Sequence, residues 1–219
     1  MRTIGDPGPT TATDVELAGD ILRVANAGLP ELASRNARDA LLEIRSEHEA
    51  FREFLNRPSN GNDLVNSCLL YPPFDQRADG ALFLAARFAY APYAGTALMA
   101  AATVLADGKD EVSTVDQKVV TLETALGVMT VEVIRQNNLA THAKWSVTPP
   151  NVVINKQDLR RDSGVTVPVS LVDAGLPYLV IDSDRLGIAL GDRGRLSAAG
   201  IELSALAGKQ FPMSDFGFC

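Results

Sequence analysis

The chain has 219 residues, 46% of them hydrophobic, which supports one large domain or two small ones around a buried core. Its formal charge of -7, with a pI near 4.9, and the lack of any Lys/Arg cluster interleaved with aromatics exclude a phosphate-backbone partner, so no nucleic acid is expected.

Residues 1–12, rich in Gly, Pro and Thr, read as a loose lead-in without the apolar stretch of a secretory signal. Order is expected from about Asp14. Ile21–Ala25 reads as a short strand and Gly28-Leu29-Pro30 as a turn. Asn36–Asn56 reads as one helix, because Ala40, Leu41, Ile44, Phe51 and Leu55 recur at helical spacing; Arg45, Glu47, His48 and Glu49 between them form a solvated face. The polar stretch from Arg57 to Asp63 stops that helix. Leu64–Tyr71 and Ala81–Ala85 then read as buried strands.

The chain is expected to be organised around Arg87–Gly108. An aromatic turn (Phe88, Tyr90, Pro92, Tyr93) leads to Gly95-Thr96 and then to residues that are apolar on every side until Asp107. A helix with no polar face must be enclosed. Only Arg87 is charged between Ala81 and Ala106, yet Pro92, Gly95 and the Ala-rich composition favour a strand, turn and helix over a membrane span.

Downstream the pattern changes to alternation in Lys118–Leu122, Val128–Arg135 and Thr141–Val147, the last two joined by Asn137-Asn138 as an antiparallel hairpin. Val165–Leu171 and Tyr178–Ile181 read as further strands, and Arg195–Lys209 as another helix. The expected fold is α+β: a curved, mostly antiparallel, barrel-like sheet wrapped around the central hydrophobic helix. One lobe is expected over residues 13–190, followed by a C-terminal helix and tail over 191–219.

Standard catalytic patterns (GxSxG, HExxH, a P-loop, CxxC, GxGxxG) do not occur. His48 and His142 read as surface or packing histidines, and Cys68 as an inert buried thiol. With Cys219 the only other cysteine, neither a disulfide framework nor a thiolate metal site is implied, so a reducing cytoplasm is expected, with no metal and no cofactor. Two loops carry the remaining signal, Asn60-Gly61-Asn62-Asp63 and Tyr93-Ala94-Gly95-Thr96. The first N–H groups of a helix lack internal partners and carry its positive end, so a Gly-Thr start either seats a carboxylate or is capped by the Thr hydroxyl. If both loops face one mouth of the sheet, a carboxylate meets the helix start on one side and Asn side chains on the other.

The series of segments resembles the proline racemase family, which includes hydroxyproline epimerases and dehydratases. Asp14–Ala25 is similar to the family's opening DSHTxGEPTRVV segment, and Gly28–Leu32 to its GLPEL turn. Asn60–Asp63 falls on RGxD, Pro73–Asp79 on P-x-x-x-E-A-D, and Pro92–Thr96 on C-G-H-G-T. Glu123–Val128 resembles DTPAGL, Val147–Val153 resembles NVPSFV, and Ala174–Asp182 resembles the GGxxYAIVDA strand. The resemblance runs over roughly Asp14–Leu190 and implies one lobe of a two-lobed fold. In the family a cysteine from each lobe flanks the substrate Cα and moves its proton. Here Pro92 stands at the first cysteine's position, Ala94 at the following histidine's, Glu16 at the opening histidine's and Asn60 at the arginine's, and Cys219 lies outside the second cysteine motif.

The resemblance therefore implies a repurposed, cofactor-independent isomerase, lyase or cyclase acting on a small organic substrate, such as a carboxylate, in a biosynthetic pathway. Tyr93, Glu16 and Asp63 are the catalytic candidates. Asp14, Asn60, Asn62, Tyr90, Gly95 and Thr96 are the ligand-binding candidates, with Tyr90 and Tyr93 forming a shaped wall. The alternative is a non-catalytic binding or structural subunit that pairs with itself, as a homodimer, or with a separate second lobe.

Overall fold

In the computed structural model, which describes residues 9–57, 66–87, 89–107, 115–137, 139–146, 149–174 and 177–212, the chain divides into two units between Ser146 and Val147. The first holds β1 (Thr11–Leu17), β2 (Asp20–Ala27), α1 (Ala37–Glu47), α2 (Glu49–Leu55), β3 (Asn66–Tyr71), β4 (Gly80–Ala85) and β5 (Tyr90–Ala91). It continues with α3 (Gly95–Ala106), β6 (Asp116–Thr124), β7 (Gly127–Gln136) and β8 (Leu139–Trp145). These strands make one sheet in the order β1-β2-β3-β4-β6-β7-β8, with β5 against β4. The β2–β3 and β4–β6 pairs are parallel and the other described pairs antiparallel.

The sheet curls around α3. Val15 and Leu17 from one edge strand, and Ala143 and Trp145 from the other, pack in the same core as Ala97, Leu98 and Ala101 of α3. One helix reaches both edges of a long sheet only if the sheet bends around it. α3 is the enclosed helix that its all-round apolar surface requires. At its C-terminal end Arg135, 2% exposed, donates from Nη1 to the Ala106 carbonyl at 2.9 Å and from Nη2 to Asp116 at 2.7 Å. A cation thus sits at the negative end of the helix dipole.

Coverage of the sheet's two faces explains the two strand patterns. In β3 and β4, Cys68, Leu70 and Leu82 face α3, while Leu69, Ala81 and Phe83 pack with Leu41, Ile44 and Leu55 of α1 and α2. Both faces are dry, so these strands read as unbroken apolar runs. β6 and β7 are covered on one side only. Val120, Leu122, Val131 and Val133 turn inward, while Val119, Val128 and Ile134 are exposed on the other face. Gly28, at φ +64, serves the turn after β2, where a Cβ would meet the Pro9 carbonyl at 2.7 Å.

Several expectations are corrected. The single helix over 36–56 is two, broken at His48 (φ -122, ψ 29), whose carbonyl accepts the Tyr90 hydroxyl at 2.8 Å. His48 is half-buried rather than on a solvated face. β1 begins at Thr11, inside the stretch read as a loose lead-in, and pairs with β2 through a tight hairpin. Among the described residues no helix is long and apolar enough to cross a membrane, and the 81–106 stretch is β4, β5 and α3.

Two carboxylates tie the β3–β4 connection to β6. Glu123, 8% exposed, accepts the Phe74 and Asp75 N–H groups at 2.9 and 2.8 Å. Asp79 accepts from the Thr121 N–H, and the Thr121 carbonyl accepts from the Asp79 N–H. Glu123→Gln, which keeps an acceptor but loses the charge, is expected to cost about 1 kcal/mol in urea unfolding. In the same connection, hydrogen bonds from Arg77 lower the Asp75 carboxyl to about 2. A depressed folded-state pKa means that this contact stabilises above the usual Asp range and is lost as pH falls from there toward 2. Carbon-detected NMR titration should place the Asp75 midpoint near 2, and Arg77→Gln, which removes the guanidinium but keeps the backbone N–H donor, should raise it part of the way toward the ordinary Asp value.

The second unit contains β9 (Asn151–Arg160), β10 (Thr166–Asp173), β11 (Pro177–Ile181), a 3-10 turn at Ser183–Leu186 and α4 (Arg193–Gln210). The strands are antiparallel in the order β11-β10-β9. Ala199, Leu203 and Ala207 of α4 share a core with Leu159, Val167, Val169 and Leu171. The helix expected in a separate segment from 191 onward therefore packs on these strands. β9 escaped the periodicity reading because Lys156 has φ 49, and this irregularity puts Ile154 and Leu159, of opposite sequence parity, on one face.

Candidate active site at the start of the central helix

The first turn of α3 has no side-chain cap. Ala94 is the N-cap in extended conformation, the first internal bond runs from the Leu98 N–H to the Ala94 carbonyl, and Thr96 lies within the helix. Self-capping by the Thr96 hydroxyl is therefore not what this start uses. The N–H groups of Gly95, Thr96 and Ala97 stand at the positive helix end.

Two aromatic rings frame this start. Tyr93, 6% exposed, and Trp145 meet edge to face, with centroids 5.7 Å apart at 70°. Trp145, the last residue of β8 and cross-strand from Val131, lies directly on Gly95. A Cβ at position 95 would come within 2.8 and 2.9 Å of indole Cζ3 and Cε3. Glycine is thus required by close approach. Gly95, Thr96 and Pro92 are half-buried. Oriented backbone donors beside aromatic walls can hold an anion and shape what is attached to it.

The other sequence candidates are placed differently. Tyr90 and Tyr93 do not share a wall: Tyr90, 3% exposed, belongs to the core between the sheet and α1/α2, whereas Tyr93 belongs to the α3 core on the other face. Burial pushes the Tyr90 phenol pKa up, and its hydroxyl is committed to His48. Asp14 is bound by both oxygens to Arg23, its cross-strand neighbour, at 2.8 and 2.9 Å. Glu16 accepts the Gly19 N–H at 2.6 Å in the hairpin turn. Both alternate with Val15 and Leu17, which face α3, so the strand directs them to the opposite side from Tyr93. Asn60, Asn62 and Asp63 lie outside the described residues. Cys68 is inert as expected, its thiol pushed up to about 12 by burial. His142 is exposed on β8 beside Thr141.

Residues that the sequence reading missed support the site from behind. The buried Arg52 guanidinium donates to the carbonyls of Ala86 and Arg87, and the Asn56 amide donates to the Ala85 carbonyl at 2.9 Å. These bonds hold the end of β4, while the Tyr90–His48 bond ties β5 to the α1–α2 break on the far face of the sheet. Tyr90→Phe should cost about 1 kcal/mol in thermal or urea unfolding and leave the Trp145 emission unchanged, because the bond it removes is on the far face of the sheet. Trp145 was visible only as an inward position of an alternating strand. Its contact with Gly95 depends on the curl of the sheet.

A family model described as Proline racemase matches residues 12–217. A protein of Chromohalobacter salexigens is 23% identical over 178 residues, which is 81% of this chain and 49% of that protein. A hydroxyproline epimerase from Agrobacterium vitis, solved with bound trans-4-hydroxy-L-proline, superposes with a TM-score of 0.79 at 23% identity, over 92% of this chain and 60% of its own. A probable proline racemase from Agrobacterium radiobacter K84, solved with bound carbonate, gives 0.80 at 22% identity, over 93% and 61%. The chain thus spans about half the length of the curated relative and about three fifths of these two structures.

Proposed function

This chain belongs to the proline racemase family, and from that premise we propose that it seats a small carboxylate on the start of α3 and acts on it as a cofactor-independent enzyme of isomerase type. The carrying observation is the uncapped helix start pressed between Tyr93, Trp145 and the glycine beneath the indole. That the two Agrobacterium relatives bind trans-4-hydroxy-L-proline and carbonate supports an oxyanion as ligand. In this reading the Gly95 and Thr96 N–H groups hold the carboxylate, the Thr96 hydroxyl adds a donor, and the Tyr93 phenol is the candidate proton-transfer group. Asn60, Asn62 and Asp63 remain proposed as further polar groups for the ligand. Pro92, at the family's cysteine position, has no proton to exchange, so the reaction is an isomerisation, elimination or cyclisation other than two-cysteine racemisation, placed in a biosynthetic pathway in a reducing cytoplasm.

Trp145 is the chain's single tryptophan, so its emission reports on this site. Titration with trans-4-hydroxy-L-proline or carbonate should give a saturable emission change, weakened several-fold by Thr96→Val. In heavy water neither proline nor hydroxyproline should gain deuterium at Cα. No saturable response from any carboxylate tested would remove the binding half of the proposal, and Cα exchange would remove the chemical half.

A second reading, a subunit paired with a second copy or a separate lobe, is favoured by one observation in the second unit. Val152, Val172 and Tyr178 are cross-strand neighbours on the sheet face away from α4, and Val152, Tyr178 and Val180 are exposed. Light scattering of the pure chain should then give twice the monomer mass, and Tyr178→Asp should return it to monomer.

A further inference from the structure

We propose that Glu43, Glu47 and His48 form a binding site for a zinc-class divalent metal ion at the C-terminal end of α1. One ligand atom from each lies within 4.8 Å of the others. Donors bound at about 2 Å to one ion stand roughly 3 to 4 Å apart, so small side-chain rotations close this set around a cation. A second observation concerns the same side chain: His48 Nε2 is buried and has no hydrogen-bond partner among the described residues. A buried imidazole nitrogen without a partner carries a desolvation cost that an ion or a bound water removes.

The electrostatics of the helix favour the ion. Glu43 and Glu47 are spaced i, i+4, where like charges repel, and they stand at the negative end of the α1 dipole. Arg45, the basic residue of that turn, is two positions from each carboxylate and does not face them. Glu43 is also oriented from outside, since its carboxylate accepts the N–H groups of Ala33 and Ser34 at 2.7 and 2.9 Å and the Ser34 hydroxyl at 2.5 Å. Such bonds hold a ligating carboxylate in position, and Oε1, which among the described residues accepts only the Ala33 N–H, keeps a lone pair for an ion. One imidazole with two carboxylates suits Zn²⁺ and its transition-metal neighbours, whereas Mg²⁺ and Ca²⁺ prefer sets made of oxygen alone. The ion would brace the α1–α2 break, where the His48 carbonyl receives the Tyr90 hydroxyl.

The test is calorimetric titration of the chelator-stripped full chain with Zn²⁺ alone, repeated with Co²⁺ followed by visible absorption. One ion per chain is expected. Glu47→Gln, an exposed and structurally mild change, and His48→Gln should each weaken it at least tenfold, while His142→Gln should not. Mg²⁺ and Ca²⁺ should give no comparable heat. Unchanged Zn²⁺ affinity in Glu47→Gln, or binding abolished by His142→Gln and retained in His48→Gln, overturns the assignment. Neither result bears on carboxylate binding at α3, which is read separately from Trp145.

Discussion

Gly95→Ala is expected to lower the unfolding free energy by about 2 to 3 kcal/mol and to change the Trp145 emission. Its sign is the opposite of the usual one, since replacing Gly by Ala in a helix normally gains up to about 1 kcal/mol. Here the added methyl would sit 2.8 and 2.9 Å from two carbons of the indole. The ring has little room to retreat, because it packs edge to face on buried Tyr93 and lies against the α3 core. A double-mutant cycle isolates the clash: in a Trp145→Ala background the same Gly95→Ala change should become neutral or stabilising, with a coupling of about 2 kcal/mol. Urea unfolding followed by circular dichroism measures all four proteins.

Arg135→Met should cost about 3 kcal/mol, the other large effect expected. The guanidinium is buried, and its loss leaves the Ala106 carbonyl at the end of α3 without its charged donor. Asp116 is partly exposed and keeps water as a partner, which holds the cost below that of stranding a fully buried charge. The pH dependence has a definite sign. The hydrogen bond from Arg135 lowers the Asp116 pKa in the folded chain. This contribution is therefore present above the ordinary Asp range and lost as pH falls through the depressed value, so the stability gap between parent and variant should narrow in acid. A gap that stays constant from neutral pH to pH 3 would show that packing, not the ion pair, carries the effect.

Much of the fold was legible because burial leaves a period in the sequence. Unbroken apolar runs in β3 and β4 reflect a sheet covered on both faces, and alternation in β6, β7 and β8 reflects one covered on a single face. The enclosed helix followed from its lack of a polar side. What was not legible depended on tertiary contacts or local irregularity. Nothing in Glu47-His48-Glu49 signals a helix break, and the contact seen there comes from Tyr90, distant in sequence. Tyr90 and Tyr93, three positions apart, fall on opposite faces because the chain leaves β5 between them. Asp14 and Glu16 looked like site acids by resemblance, but strand parity directs them away from α3. The partner of Gly95 could be found only once the sheet's curl had brought β8 over the helix start.

The most direct measurement is the set of backbone amide chemical shifts of Gly95, Thr96 and Ala97 during titration of the ¹⁵N-labelled chain with trans-4-hydroxy-L-proline. Saturable shifts concentrated on those three amides are predicted, with a smaller one at the Trp145 indole N–H, because a carboxylate on the helix start would accept from the former, while the indole packs on Gly95 through its benzo edge, Cζ3 and Cε3. Saturable binding that leaves all four signals in place while moving others would contradict the site.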